Sequence, residues 1–220
     1  MNRTQLASTI DHTVLKPEAG TTAIEKACHE ALQYGFFAVC FASRHVALAK
    51  RLLDGSGVKV ATVAGFPDGD TLAAAKAYET RAAIDAGADE VDMVIPIGAA
   101  RDGAWDIVEA DIAAVVAAAR GRTLVKVIIE TAYLDEAQKI AACRICREVG
   151  ADFVKTSTGF AATSATLEDV KLMRATVGEQ LGVKAAGGIR DLKAALAMIE
   201  AGASRLGCSA SVAIIEAMDA

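Results

Sequence analysis

No run in this 220-residue chain approaches the ~18 consecutive apolar residues that a membrane-spanning helix needs. The N-terminus, Met1-Asn2-Arg3-Thr4-Gln5, lacks the long apolar core of a secretory signal. The expectation is a cytoplasmic protein with no membrane partner. Excess positive charge is also missing: the net charge is −5 and the sequence pI is near 5.3. That argues against nucleic acid as a partner but not against a phosphorylated small molecule, which needs only a local cluster of donors. Histidines are scarce, and His12, His29 and His45 show no ligand-like spacing, so no metal site is expected. The five cysteines are an odd number in a chain read as cytoplasmic and are taken as reduced thiols. Cys143 and Cys146 form a C-x-x-C with no second pair and read as packing residues. Aromatics make up 5% of the chain, against 53% hydrophobic residues in all. A sheet buried on both faces fits that composition.

What is present is a repeated alternation. Short apolar segments fall at 10–15, 36–41, 58–63, 90–95, 124–130, 153–155, 183–186 and 205–207, with helical spacing between them. Thr22 and Glu25 suggest a capping box for the first long helix; Asp135 and Gln138 suggest one further on. Glycines 87, 150 and 202 each end a helix and precede a strand, where a left-handed turn suits glycine. Eight such units give an α/β fold: a single (β/α)8 TIM barrel over residues 1–220, with a short extra N-terminal helix near residues 4–9. An open doubly wound sheet is the alternative, but its G-x-G-x-x-G turn is missing after the first strand.

In a barrel the site lies at the C-terminal ends of the strands. Four lysines fall on strands: Lys59, Lys126, Lys155 and Lys184. Lys59 starts its strand and reads as a snorkelling side chain at the bottom. Lys126 is read as the ion-pair partner of an interior carboxylate. Lys155 and Lys184 are each followed by small residues and glycine, and they lie on consecutive strands about 4.8 Å apart. Two ammonium groups that close repel, so one loses its proton more easily and becomes an amine nucleophile. Spacing alone does not say which. Asp92, inside an apolar strand, is either a proton carrier or a partner for Lys126 or Lys184. Asp11 and His12 carry the same ambiguity, with His12 read as a hydrogen-bonded core residue. His29 and His45 read as solvated or capping. Gly187-Gly188 and Gly207-Cys208-Ser209 follow the last two strands, where barrels commonly bind phosphate.

The segments 10–13, 38–40, 91–95, 125–131, 154–160 and 184–190 occur in order across nearly the whole chain. Among them are Lys155-Thr156-Ser157-Thr158-Gly159 and Lys184-Ala185-Ala186-Gly187-Gly188. Together they resemble the deoxyribose-phosphate aldolase family. The resemblance implies a metal-free, cofactor-free class I lyase. Such an enzyme cleaves 2-deoxy-D-ribose 5-phosphate reversibly to acetaldehyde and D-glyceraldehyde 3-phosphate. It implies Lys155 as the Schiff-base lysine, Lys184 as the second lysine that tunes it and moves protons, and Asp92 as proton carrier. Asp11, Cys40, Thr158, Gly159, Gly187, Gly188, Gly207 and Ser209 match substrate- or phosphate-contacting positions. Expected partners are a sugar phosphate and aldehydes, with a homodimer or higher homo-oligomer as the assembly. Three departures stand out: no tyrosine follows Tyr133, Phe160 stands where some relatives carry a basic residue, and Ser209 and Ser211 are not adjacent. Two other readings keep the barrel: a Schiff-base aldolase for another or unphosphorylated aldehyde, and a non-catalytic ligand-binding barrel.

Overall fold

The computed structural model describes residues 1–218. A short helix, α1 (Arg3–Ala7), is followed by β1 (Ile10–Val14), α2 (Thr21–Tyr34), β2 (Ala38–Phe41), α3 (Val46–Leu52), β3 (Lys59–Ala64), α4 (Ala73–Asp85) and β4 (Glu90–Val94). Then come α5 (Ile97–Asp102), α6 (Trp105–Ala119), β5 (Leu124–Ile128), α7 (Glu136–Val149), β6 (Phe153–Lys155), α8 (Leu167–Val177), β7 (Gly182–Ala186), α9 (Leu192–Glu200), β8 (Arg205–Cys208) and α10 (Ser211–Glu216). All eight strands are parallel and pair in sequence order, and β8 closes onto β1. This is the (β/α)8 barrel.

Strand side chains alternate between two environments. Outward residues such as Val39 and Phe41, Val91 and Met93, Val125 and Val127, and Val183 and Ala185 pack against the helices in one continuous apolar layer. Inward positions split. Cys40, Ala61 and Val63 form a small apolar cluster with Leu15 and Phe66 on one side of the mouth. Asp11, Glu90, Asp92, Lys126, Lys155, Lys184 and Arg205 fill the remainder with charge.

Local chemistry sets several helix ends. Asp135 accepts from the Gln138 backbone N–H while the Gln138 side chain accepts from the Asp135 N–H, the reciprocal capping box expected there. The box expected from Thr22 and Glu25 does not form. Gly20 holds the N-cap of α2 and both threonines lie inside the helix, so their hydroxyls are not at the cap. Gly87, Gly150 and Gly202 adopt φ of 105°, 87° and 113° ahead of β4, β6 and β8. The sequence pattern also passed over α5, a six-residue helix inserted before α6. His45 is buried rather than solvated and stands at the N-cap position of α3, without a side-chain cap bond, whereas His29 is exposed. The C-terminal helix α10 ends at Glu216. Asp219 and Ala220 lie outside the described residues.

Candidate active site

Strand register brings the charged side chains together. Asp92 on β4 faces Lys126 on β5, and Lys155 on β6 faces Lys184 on β7. Asp92 stands at the centre of the three lysines. Its Oδ1 accepts from Lys126 Nζ at 2.7 Å; its Oδ2 accepts from Lys155 Nζ at 2.7 Å and Lys184 Nζ at 2.8 Å. Of the two roles left open for Asp92, ion pairing is thus present with both named lysines and with Lys155 as well. Lys184 also donates to Asp11 Oδ2. Lys126 pairs with Glu90 at 2.6 Å. Arg205 donates to Asp11 at 2.9 Å and to Glu90 at 3.1 Å.

Four cations therefore share three carboxylates. Lys126, Lys184 and Arg205 each meet two of them within hydrogen-bond distance, whereas Lys155 meets Asp92 alone among the described residues. Burial disfavours every ammonium here by several kcal/mol. For Lys155, burial comes first, Asp92 opposes it, and the charge on Lys184 adds to it; the result lies below the usual 10.5. For Lys184, the carboxylates of Asp11 and Asp92 overcome burial and hold it above its usual value. Lys126 is raised in the same way by Asp92, Asp11 and Glu90 against burial and the charge on Lys184. Burial pushes the Asp92 carboxyl up, but Lys126, Lys155 and Lys184 hold it well below 3.8. The network thus favours the charged form of two lysines and disfavours it in the third, which stands at the C-terminal end of β6. A neutral amine there can add to a carbonyl.

The other residues implied by the resemblance fall into three places. Asp11 lies in the ion network itself, buried behind Lys184. Cys40 lines the apolar side of the interior; burial and the nearby Asp92 push its thiol up to about 11, so it stays protonated. The glycine turns meet at the mouth. Gly159 and Gly187 have φ of 86° and 88°, and a Cβ on Gly187 would lie 3.4 Å from Gly159 Cα, so the turns after β6 and β7 touch. Gly188 faces Ser164, and Gly207 lies against Lys184 Cε. Ser209 is exposed beyond β8. Thr158 is buried, and both its backbone N–H and its hydroxyl donate to Glu130 Oε2.

Glu90, Arg205 and Glu130 were not singled out from the sequence. Glu90 could have been: it and Asp92 are alternate residues of one strand and must share a face. Arg205 and Glu130 find their partners only once the barrel closes. His12 lies outside the site, on the outer face of β1, bonded to Glu30 at 2.8 Å and Ser211 at 2.9 Å.

Comparison with known proteins places this geometry. A profile described as DeoC/LacD family aldolase matches residues 6–215. The deoxyribose-phosphate aldolase of Clostridium perfringens (strain 13 / Type A) is 56% identical over 216 residues, covering 98% of this chain and 96% of the relative. That of Thermococcus gammatolerans is 56% identical over 214 residues, covering 96% and 95%. The tetrameric deoxyribose phosphate aldolase structure from Aeropyrum pernix superposes with a TM-score of 0.93 at 30% identity, covering all of this chain and 93% of that one. With a match over nearly its whole length and a barrel of the same form, the chain belongs to the DeoC/LacD family of aldolases.

Proposed function

We propose that this protein cleaves 2-deoxy-D-ribose 5-phosphate reversibly to acetaldehyde and D-glyceraldehyde 3-phosphate through a Schiff base on Lys155. The observation that carries the reading is the uneven sharing of carboxylates, which leaves Lys155 as the interior lysine with a lowered pKa.

Lys155 Nζ adds to the C1 aldehyde of the open-chain sugar, and loss of water leaves an iminium. The C2–C3 bond then breaks. Its electron pair moves into the iminium to give an enamine, while the C3 hydroxyl loses its proton and becomes the aldehyde of glyceraldehyde 3-phosphate. Protonation of the enamine at C2 and hydrolysis release acetaldehyde and restore Lys155. Asp92 Oδ2, hydrogen-bonded to both Lys155 and Lys184, is the bridge along which protons pass between them. Positioned proton transfer of this type contributes about 10²–10⁴-fold. Lys184 also supplies the positive charge that lowers the Lys155 pKa. The turns at Gly187-Gly188 and Gly207-Ser209 receive the phosphate, with Thr158 and Gly159 at the sugar and Asp11 and Cys40 lining the interior.

Residues 1–220 act as one cytoplasmic aldolase domain whose partners are small molecules. The tetramer described for the Aeropyrum pernix relative supports a homo-oligomer here. A second reading, an aldolase for unphosphorylated aldehydes, draws on Phe160, which is half exposed and stacks edge-on against Phe66 at 5.3 Å. Turnover of deoxyribose against its 5-phosphate separates the two. Borohydride reduction in the presence of acetaldehyde tests the shared chemistry: a mass increase on the Lys155 peptide is expected. An unmodified Lys155 sinks the Schiff-base reading and leaves a ligand-binding barrel.

A further inference from the structure

The geometry points to Glu130 as a positioning residue for this reaction: it fixes the turn after Lys155 and orients the Thr158 hydroxyl so that its oxygen meets the substrate as a hydrogen-bond acceptor. The inference rests on the aldolase reading above and adds a residue to it.

Four observations converge. Glu130 is the non-glycine residue with positive φ among the described residues, at φ 50° and ψ 70°. A non-glycine residue is held in that region when its surroundings demand it, and such outliers cluster at functional sites. Next, residues 129–131 grip the Lys155 turn three times in succession. Ile129 N–H donates to the Lys155 carbonyl at 3.0 Å, and Thr131 N–H donates to the Thr156 carbonyl at 2.9 Å. Between them, Glu130 Oε2 accepts from the Thr158 N–H at 3.0 Å and from the Thr158 hydroxyl. Third, the side chain is almost wholly buried and its other oxygen, Oε1, has no partner among the described residues. A buried carboxylate costs several kcal/mol unless its bonds are used, and here one oxygen carries both. Last, the Thr158 hydroxyl proton is committed to Glu130 while its oxygen accepts the Phe160 N–H at 3.1 Å. A hydroxyl has one proton and two lone pairs. What Thr158 has left for a ligand is a single lone pair.

That arrangement suits a substrate that offers a hydroxyl. The aldol does; acetaldehyde does not. Lys155 is held separately through Asp92 and the Ile129 N–H, so its own position does not depend on the Glu130 carboxylate. The two half-reactions should therefore separate.

The test measures, in Glu130→Ala, Glu130→Gln and Thr158→Val, kcat and KM for deoxyribose 5-phosphate cleavage and the extent of acetaldehyde trapping on Lys155 by borohydride. Wild-type trapping and cleavage, run alongside, report on the aldolase reading itself. For Glu130→Ala the expected loss is about 10²-fold in kcat/KM for cleavage, the size of effect a misplaced contact produces, with trapping near the wild-type extent. Glu130→Gln, whose amide oxygen can accept the same two bonds, should restore kcat/KM to within about threefold of wild type. An equal fall in cleavage and trapping in Glu130→Ala would reduce Glu130 to a structural prop. Unchanged cleavage in that variant, or Glu130→Gln as impaired as Glu130→Ala, would also overturn the proposal. If Glu130→Ala does not fold, Thr158→Val decides: it keeps the backbone bond to Glu130 and loses only the hydroxyl. It should lose cleavage about as Glu130→Ala is expected to, with trapping intact, and full cleavage in it would refute the inference.

Discussion

Lys155 and Lys184 stand directly opposite each other on neighbouring strands, and both ammonium groups point at the same oxygen, Oδ2 of Asp92. One carboxylate oxygen cannot fully compensate two cations. Lys184 has Asp11 as a second partner and Lys155 has none among the described residues, so the shortage falls on Lys155.

The first consequence is an asymmetry in stability. Lys126→Met removes the partner of Asp92 and Glu90, leaving buried carboxylates undercompensated, and should cost about 3–5 kcal/mol. Lys155→Met removes the cation in surplus and should cost under about 1.5 kcal/mol, near the level of a volume-conserving core change, while cleavage falls by at least ~10³-fold with loss of the nucleophile. Urea unfolding of the two variants beside wild type checks the order; a Lys155→Met variant less stable than Lys126→Met would contradict it.

The second concerns pH. Lys155 must be neutral to attack, and its folded pKa lies below 10.5. The rate of acetaldehyde trapping should therefore rise with pH along a limb whose midpoint lies below 10.5. Lys184→Met removes a nearby positive charge, so the ammonium form of Lys155 is favoured and the limb should move up in pH. Trapping rates across a pH series give both midpoints; a limb that moves down would show that Lys184 does not lower the Lys155 pKa.

Gly207 offers a third. A Cβ there would lie 3.1 Å from Lys184 Cε and 2.9 Å from the Ala186 Cβ. Gly207→Ala should push Lys184 off Asp92 and lower kcat/KM roughly 10–100-fold, at a stability cost of about 1–3 kcal/mol from overpacking. Steady-state kinetics together with a thermal melt distinguish this from simple unfolding.

A fourth addresses phosphate. Phe160 is half exposed beside the Gly159 turn. Phe160→Lys should raise kcat/KM for deoxyribose 5-phosphate about 3–10-fold through a charge-assisted contact, discounted for exposure. Deoxyribose without phosphate is the control. An equal gain on both substrates would place the phosphate elsewhere.

The parts of this molecule that were legible in the sequence are those set by local rules. The Asp135 cap, the glycine turns before β4, β6 and β8, and the eight-fold alternation all depend on residues a few positions apart. Local rules also misled: Thr22 and Glu25 have the right spacing for a capping box, but the helix is capped two residues earlier, at Gly20. The helix α5 is too short to show a period. At the site, a charged residue within an apolar strand was enough to mark Asp92 and Lys126. The pairing of Arg205 with Asp11 spans 194 positions and exists only because β8 closes beside β1. The left-handed backbone of Glu130 likewise follows from tertiary constraint, since nothing in a glutamate favours it.

Arg205 also lies flat over the ring of Phe37 at 3.6 Å and near that of Phe153 at 5.4 Å. With Glu90 and Asp11 bonded to it, this stack lies at the N-terminal ends of β4, β6 and β8. Arg205, Glu90 and Asp11 are buried, so the interior is filled at that end and the reacting lysine faces the other. In the proposed reaction the expelled water, the fragment carrying the phosphate and the fragment bonded to the lysine all leave at the C-terminal ends of the strands. One fragment stays bonded to Lys155, so the three-carbon aldehyde departs before acetaldehyde, and in the synthetic direction of the proposed reaction acetaldehyde loads first.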